Sequence, residues 1–401
     1  MDRYARLADH VDLVTGFPFR SDEYVASGVR LLRGDNVGQG RLRWAAAKLW
    51  PSERARASEP FLLRRDDVVL AMDRPWIEAG LKYARVRPED LPCLLVQRVA
   101  RIRARDKMNQ NFLGYLVGSR QFTDHVLALQ TGTAVPHISG SQILDFRFML
   151  PELAEQQGMA ELLGALDDKI ALNERMIETS LSLGTHEVAR AVQENPQWST
   201  SSLKDLAKWT SGGTPRTSEP AYWNGDIPWI TASSLHSFFI DDSDRRITDS
   251  GLRNGSRLAP RDAVLIVVRG MSLKTEFRVG VAQRPVAFGQ DCKALVAARG
   301  VDPLFLAYSL RLHAPDILQM VDEAGHGTGR LQTDRLGNLA LAMPPDAGTR
   351  LLAALRQMTE RAALAKVESR TLAVLLDALL PKLLSGELRV REAENAVSAA
   401  T

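Results

Sequence analysis

Residues 351–385 read LLAALRQMTERAALAKVESRTLAVLLDALLPKLLS, and their apolar side chains recur in alternating steps of four and three. Only Ser369 interrupts this heptad spacing, which is typical of a helix that packs along a second helix. Such a helix would be about 50 Å long. Pro381 predicts a kink or a restart near its end, and Ser385-Gly386 predicts where it stops. The apolar positions are Leu351, Leu355, Met358, Ala362, Ala365, Leu372, Leu376, Leu379 and Leu383.

A weaker version of the same pattern lies near the middle of the chain and ends at about Gly184. Asn173 falls on its apolar seam, where a polar residue can fix the register of two helices at some cost in stability. The two helices can pair with each other, or each can cover its own domain. The residues predicted to form the interface between them are Leu163, Leu166, Ile170, Ile177, Leu351, Leu355, Met358, Leu372, Leu376 and Leu379.

The two halves of the chain repeat each other at a nearly constant separation of 193 to 195 residues. Several matches in one order indicate a duplicated unit, although two unrelated domains remain the alternative. The period is far longer than that of a solenoid repeat. The matching pairs are Asp12-Leu13 with Asp205-Leu206, Asp67 with Asp262, Gly132-Thr133 with Gly327-Thr328, and Leu150-Pro151 with Met343-Pro344.

The duplication predicts a domain plan in which a globular unit and a helix each occur twice. We expect a first globular unit over residues 1–151, a central helix over 152–195, a second unit over 196–344, a C-terminal helix over 345–391 and a tail over 392–401. Apolar runs at 68–72 and 264–268 predict buried strands, and those at 112–116 and 304–308 predict short helices. Each unit is therefore expected to be mixed α+β.

The composition is that of an ordinary globular protein, since 45% of the 401 residues are hydrophobic and 25% are charged. The formal net charge is only +3, so binding of a polyanion would depend on local clusters of cations. Cys93 and Cys292 are far apart and match no metal-ligand spacing, as expected in a reducing cytoplasm. The start, MDRYARLADHVD, lacks a leader peptide, and no apolar run is long enough for a membrane span. We therefore expect a cytoplasmic protein with no membrane partner.

Motifs of common enzymes are missing from the sequence. It contains no GxxxxGK[ST] phosphate loop, no HExxH zinc motif and no GxSxG nucleophile elbow. It also lacks the Asn/Asp-Pro-Pro-aromatic motif that is typical of amino-methyltransferases. These absences favour a chain with no active site of its own.

Loops of the second half combine glycine, proline, aromatic and polar residues in a way that suits contact with DNA. Cations beside Gly270, which follows a predicted strand, suit phosphates or guanine. For Trp223 and Trp229 we favour loop anchors that pack on the core over base-stacking groups. The candidate DNA-binding residues here are Thr214, Arg216, Thr217, Ser233, Ser234, His236, Arg269, Ser272, Lys274, Thr328 and Arg330.

The first half offers a smaller set of candidates around matching positions. The run from Arg98 to Lys107 carries five basic residues and one acidic residue, and it is either a DNA contact or a solvated face. The candidate DNA-binding residues of this half are Arg33, Asn36, Arg41, Arg43, Arg74 and Lys82.

Three stretches give the whole chain a resemblance to the specificity subunit (HsdS) of type I restriction–modification systems. Residues 211–235, SGGTPRTSEPAYWNGDIPWITASSL, resemble the opening of that family's target recognition domain. Residues 70–84, LAMDRPWIEAGLKYA, resemble a counterpart in the first domain. Residues 379–390, LLPKLLSGELRV, resemble the end of the second conserved region. At residues 15–19 the first half has TGFPF in place of a GGTP copy.

The resemblance implies an α+β fold with two globular target recognition domains. Two long helices, paired as an antiparallel coiled coil, would separate them, with an internal pseudo-two-fold duplication. Each domain would read one half of a bipartite target in double-stranded DNA. The chemistry would belong to partners: two methylation subunits that bind S-adenosylmethionine and methylate adenine, and restriction/translocase subunits that use ATP and Mg²⁺. This chain would hold no cofactor and no metal.

Two other functions remain open on the residues alone. A non-catalytic coiled-coil scaffold could bind protein or RNA partners through the same helices and units. A nuclease with an unrecognised site would instead cleave DNA by itself with a metal ion.

Overall fold

The computed structural model describes residues 4–129, 136–324, 327–345 and 350–400, which form two compact units. Unit 1 combines the residues up to 171 with those from 369 onward, and unit 2 consists of residues 172–368. The predicted repeat marker Gly132-Thr133 lies outside the described residues. None of the helices in these ranges is both long and apolar enough to cross a bilayer.

Both units contain many short strands, which are numbered here in chain order. Those before residue 152 are β1 Tyr4–Arg6, β2 Val11–Thr15, β3 Val29–Leu32, β4 Gln39–Gly40, β5 Lys48–Trp50, β6 Val68–Ala71, β7 Trp76–Ile77, β8 Gly80–Leu81, β9 Tyr83–Arg85, β10 Cys93–Leu95, β11 Val99–Ala104 and β12 Arg147–Met149. Those after residue 195 are β13 Ser199–Ser202, β14 Ala207–Ser211, β15 Trp223–Ile230, β16 Phe239–Ile240, β17 Arg246–Ile247, β18 Arg257–Ala259, β19 Val264–Val267, β20 Arg269–Gly270, β21 Val279–Ala282, β22 Val286–Phe288, β23 Cys292–Ala297, β24 Val321–Ala324, β25 Thr328–Leu331 and β26 Ala340–Met343.

The α-helices are mostly short, apart from two that exceed 35 residues. They are α1 Ser52–Ala55, α2 Gln110–Val117, α3 Arg120–Leu129, α4 Gly140–Leu144, α5 Leu153–Glu194, α6 Leu203–Leu206, α7 Asp249–Gly255, α8 Pro303–Leu312, α9 Ala314–Gln319, α10 Thr333–Gly337, α11 Arg350–Ser385 and α12 Val390–Ala400.

A five-stranded sheet lies at the centre of each unit, and its strand order is the same in both. The order is β2-β11-β6-β9-β4 in unit 1 and β14-β23-β19-β21-β16 in unit 2. In both sheets the last pair is parallel and the others are antiparallel. The middle strands β6 and β19 are buried throughout, as their apolar runs predict. The predicted duplication and the mixed α+β class are therefore confirmed in the fold.

The turn before the buried strand corrects one detail of the predicted repeat. Asp66 and Asp262 both adopt left-handed backbone angles, with φ of 64° and 67°. Their N–H groups donate to the carbonyls of Val86 and Ala282, at 2.9 and 2.8 Å. Asp66, and not Asp67, is therefore the counterpart of Asp262.

A short helix packs beside each sheet, as the apolar runs at 112–116 and 304–308 predict. Asn109 caps α2 by accepting hydrogen bonds from two backbone N–H groups, and Asp302 caps α8 in the same way. The apolar faces of both helices are buried, so each unit is completed by the same strand-to-helix step.

Sections of both long helices pack in each unit. In unit 1 the first part of α5, with Leu163, shares a buried cluster with the last part of α11, with Leu379. In unit 2 the second part of α5, with Leu181, shares a cluster with the first part of α11, with Leu355. The reversed order of these sections means that the helices are antiparallel, as expected.

The predicted interface residues lie on the packed faces of these helices. Asn173 is also buried, and its amide donates to the Glu368 carboxylate at 2.7 Å, as a polar seam residue should. On α11, Leu352 is more deeply buried than the predicted Leu351. Leu163, Leu166, Leu355, Leu372 and Leu379 are buried, whereas Ile170, Ile177, Leu351, Met358 and Leu376 are half-buried.

The long helices differ from the sequence prediction in two places. Helix α5 continues past Gly184, because this glycine makes room for the buried ring of Tyr308 and is not a stop signal. Helix α11 does not restart at Pro381, since Leu383 just beyond it is buried in the same cluster as Leu379. It does end at Ser385, followed by Gly386 at a φ of 73°.

The predicted tail is a helix. Residues 390–400 form α12, and Ala393 is fully buried in the core cluster of unit 1. A Cβ on Gly158 of α5 would lie 3.3 Å from Val390 Cγ1, so the two helices are close there. Its apolar residues Val390, Ala393 and Val397 do recur at helical spacing, and the sequence prediction missed this signal.

Gly184 and Gly164 on α5 form a matched pair for a stability test. A Cβ at Gly184 would lie 2.6 Å from Tyr308 Cε1, whereas one at Gly164 would lie 3.9 Å from the Tyr115 hydroxyl. Alanine favours a helix interior by roughly 0.5–1 kcal/mol, but overpacking costs roughly 1–3 kcal/mol. We therefore expect Gly164→Ala to stabilise the protein and Gly184→Ala to destabilise it in denaturant titrations. Equal effects of the two changes would contradict this packing.

Candidate nucleic-acid interface

A cavity of about 430 Å³ opens in unit 1 where the buried strand β6 ends. Met72 donates its N–H to the Arg98 carbonyl at 2.8 Å, and its own carbonyl accepts from the Ile138 N–H at 2.9 Å. These bonds fix the backbone on both sides of the cavity. Four cations and two carboxylates line it, so it carries a surplus of positive charge: Arg33, Arg74, Lys82 and Arg98 with Asp35 and Asp73.

The two carboxylates of this cavity are already near cations. Asp73 lies 2.8 Å from His137 Nδ1 and 3.7 Å from Arg98 Nε, and Asp35 lies 3.9 Å from Arg33. Burial lowers the pKa of Lys82, and the nearby Asp35 partly opposes that shift. Arg74 is exposed, so its guanidinium is available to an anion that enters the cavity.

Unit 2 has a cavity of about 460 Å³ at the matching place, where β19 ends. Val268 donates to the Asp291 carbonyl at 2.8 Å and accepts from the Leu331 N–H at 2.9 Å, which repeats the bonds of Met72. Three cations and one carboxylate line this cavity: Arg269, Lys293 and Arg330 with Asp334. Each unit therefore brings cations to the equivalent point of its own five-stranded sheet.

Two arginines face each other across paired strands in the second cavity. Arg269 on β20 is directly opposite Arg330 on β25. Like charges in this position repel each other, and an anion bound between them would relieve the repulsion. Asp322 on β24 is opposite Arg330 on its other side, but neither guanidinium forms an ion pair within 4.0 Å in residues 172–324, 327–345 and 350–368, the described part of unit 2. The pair is therefore well suited to a phosphate.

The loop that opens with GGTP crosses close to the backbone of its neighbours. A Cβ on Gly212 would lie 2.2 Å from the Gly289 carbonyl oxygen, so only glycine fits there. The indole of Trp229 donates to the Gly213 carbonyl at 3.1 Å, and that of Trp223 donates to the Arg216 carbonyl at 3.2 Å. Both tryptophans are thus anchors of this loop, as favoured from the sequence.

Two of the predicted DNA-binding side chains form hydrogen bonds within the fold, and a third has a buried hydroxyl group. Asn36 is buried and bridges the Arg33 N–H and the Arg43 carbonyl. The Ser234 hydroxyl accepts from the Thr231 N–H at 2.8 Å within a turn. The Ser272 hydroxyl oxygen is buried and so does not face solvent. The sequence could not separate these polar residues from exposed ones, because both kinds occur in loops.

The other predicted residues lie outside the two cavities and stay predictions. Lys274 is 3.8 Å from Glu323, and Thr328 is half-buried. The remaining side chains are exposed on the loops of their units: Arg41, Arg43, Thr214, Arg216, Thr217, Ser233 and His236.

The basic run of the first half is divided between the interior of the sheet and the surface. Arg101 is buried and bonds Asp12 at 2.9 Å. Arg103 forms a double hydrogen bond with the buried Asp67, whose second contact measures 2.8 Å. Arg98, Arg105 and Lys107 are exposed, and Arg98 lines the first cavity, so only the middle of the run is internal and a DNA contact at its ends stays a prediction.

Sequence reasoning missed Lys293, Gln97 and Gln290, which line the cavities. The duplication itself could have found the glutamines, because they are separated by 193 residues, the same shift as the proline markers. Lys293 was not recognisable, since it lies on β23 and reaches the cavity only through sheet pairing.

The two cysteines are remote from this chemistry. Burial raises the pKa of both Cys93 and Cys292 to about 12, so their thiols stay protonated and unreactive. Among the described residues there is no group of three or more potential metal ligands.

Comparison with known proteins assigns a family to this duplicated fold. The family profile described as the type I restriction modification DNA specificity domain matches residues 57–181 and again residues 195–367. The chain belongs to this family. Each of the two specificity-domain matches contains the buried strand and most of the cations of one cavity, with Arg33 outside the first match.

Individual members of the family show the same relationship. The chain is 33% identical over 171 residues to the type I restriction enzyme MjaVIII specificity subunit of Methanocaldococcus jannaschii, which covers 42% of this chain and 40% of that protein. It is 33% identical over 154 residues to the EcoAI specificity subunit of Escherichia coli, covering 38% and 26%. These matches thus span less than half the length of either relative.

A solved structure supports the fold over nearly the whole chain. The type I restriction–modification system S subunit from M. genitalium superposes with a TM-score of 0.60 at 15% identity, covering 95% of both chains. At this identity the likeness concerns the fold alone. The likeness in fold also covers the segments that the family profile leaves unmatched.

Proposed function

We propose that this chain is the DNA sequence-specificity subunit of a type I restriction–modification complex. Each unit would read one half of a bipartite DNA target. The observation that carries the proposal is the cation-lined cavity that recurs at the end of β6 and of β19, inside the two stretches matched by the family profile. Because the net charge is only +3, binding of DNA depends on cations that are clustered at a fixed point.

Catalysis in this proposal belongs to partner chains. Two methylation subunits would bind S-adenosylmethionine and transfer its methyl group to adenine, and restriction/translocase subunits would use ATP and Mg²⁺. Exposed apolar side chains on α11 support docking of such partners, because Leu364, Val367 and Val374 lie on one face of that helix and are 53–70% exposed. A scaffold for protein or RNA partners is less favoured, since the cations cluster at strand ends of both specificity domains.

Methylation mapping tests the proposal directly. Cells that lack the system would express a family methylation subunit with this chain or without it. We expect methylated adenines within a split motif, two short blocks with an unspecified gap, only when the chain is present. A complex that assembles and methylates DNA without any sequence preference would overturn the proposal.

A further inference from the structure

Large apolar side chains are exposed next to both cavities, at equivalent points of the two units. In unit 2, Met271 is 62% exposed and lies between Arg269 and Lys274. In unit 1, Trp76 and Ile77 are 37% and 36% exposed and follow Arg74. Single exposed apolar residues are common, but these side chains occur in both units, just after the buried strands β6 and β19.

The segments that carry these side chains are held firmly. In unit 2 a short 3-10 helix, Met271–Lys274, is pinned by Leu273, which is 1% exposed and packs so closely on Gly329 that a Cβ there would be 2.9 Å away. Gly270, with a φ of 151°, turns the chain into this helix. Met271 is therefore presented at a defined position, and its exposure does not come from a long flexible loop.

The first unit reaches the same result with different residues. Trp76 is opposite Leu81 in the β7–β8 hairpin, and Leu81 is buried. The Lys82 N–H donates to the Pro75 carbonyl at 2.7 Å and closes the base of the hairpin. The apolar edge of the hairpin is thus fixed beside the cations of the first cavity.

We propose that Met271 in unit 2, and Trp76 with Ile77 in unit 1, are specificity-determining residues that contact the C5-methyl group of a thymine. This inference rests on the proposed DNA-reading function. An apolar side chain gains nothing from a phosphate, whereas the flanking cations do. In the major groove the thymine methyl is the apolar feature by which a base pair can be read. The cations would bind the phosphates of the DNA backbone, while the apolar side chain would select the base.

Replacement of thymine by uracil removes only the methyl group and so tests the contact. Duplexes would carry the split motif found by methylation mapping, with each thymine of one half-site changed to uracil in turn. We expect one such change in the half-site read by unit 2 to weaken binding of the assembled wild-type complex about 4-fold. In Met271→Ala and Met271→Gln complexes the same change should have no effect.

Controls separate this inference from the proposed function. Leu258→Ala removes another exposed apolar side chain of unit 2, on β18, and should leave the uracil effect unchanged. A wild-type complex that does not prefer its mapped motif over a scrambled duplex would overturn the proposed function itself. A complex that prefers the motif, yet keeps the uracil effect in both Met271 variants or shows none in wild type, would overturn the thymine contact alone.

Discussion

Joint replacement of Arg269 and Arg330 by alanine is expected to weaken binding of the assembled complex to its target about 100-fold or more. The two guanidinium groups face each other on β20 and β25, and each can donate charge-assisted hydrogen bonds to a phosphate. Because the pair is proposed to hold one phosphate between the two guanidinium groups, its loss should also reduce the slope of log K against log salt by about 0.9.

The measurement is binding of a labelled duplex at several salt concentrations. Arg253→Ala with Arg284→Ala is the matched control, because it removes the same charge from exposed positions of unit 2 outside the cavity. The control should change the slope little. An equal reduction of the slope in both double variants would mean that overall charge, and not this arginine pair, binds the phosphates.

Removal of Arg103 is expected to destabilise unit 1 by about 3–5 kcal/mol. Asp67 is 2% exposed, and loss of its guanidinium partner would leave a buried carboxylate whose remaining hydrogen bond comes from the Arg64 N–H at 2.7 Å. Denaturant titration of Arg103→Ala measures this loss. Arg105→Ala is the control, since Arg105 lies 3.7 Å from Asp12 but is 57% exposed, and exposed pairs contribute about 0–1 kcal/mol.

The duplication supplies a rescue for the same site. Ala263 precedes β19 as Asp67 precedes β6, and Val296 occupies the register position of Arg103, so unit 2 has an apolar pair at this place. The double change Asp67→Ala with Arg103→Val should therefore recover most of the stability lost by Arg103→Ala. A double variant as unstable as the single one would show that the ion pair contributes more than its burial costs.

Sequence periodicity was enough to predict the parts of the fold that depend on apolar burial. This one rule predicts the apolar seam of α11, the buried strands β6 and β19, and the short helices α2 and α8. The errors arose where a residue has a tertiary role that its type does not reveal. A glycine often ends a helix, but Gly184 lies inside α5 and accommodates the ring of Tyr308. The small residues of α12 pack on a core that is formed by segments distant in sequence.

The candidate site was less predictable than the fold. Arg33, Arg74, Lys82, Arg269 and Arg330 were identified from loop composition, and the structure places them in the two cavities. The inward orientation of Asn36 and Ser272, by contrast, depends on backbone geometry that a sequence does not show. Cations inside strands were the hardest to judge, because Arg103 and Lys293 both alternate with apolar residues. Only the structure shows that Arg103 pairs with Asp67 inside unit 1, whereas Lys293 lines the cavity of unit 2.

The division of unit 1 into two segments has a consequence for synthesis on the ribosome. Unit 2 is continuous from residue 172 to residue 368, but the core of unit 1 also needs Leu372, Leu379, Leu383 and Ala393. The second unit can therefore close before the first, which reverses the usual order of folding from the N-terminus. Translation of the roughly 200 intervening residues takes roughly 10–40 s at ordinary rates. For that time the apolar face of the nascent first unit is exposed, and it is a natural substrate for chaperones.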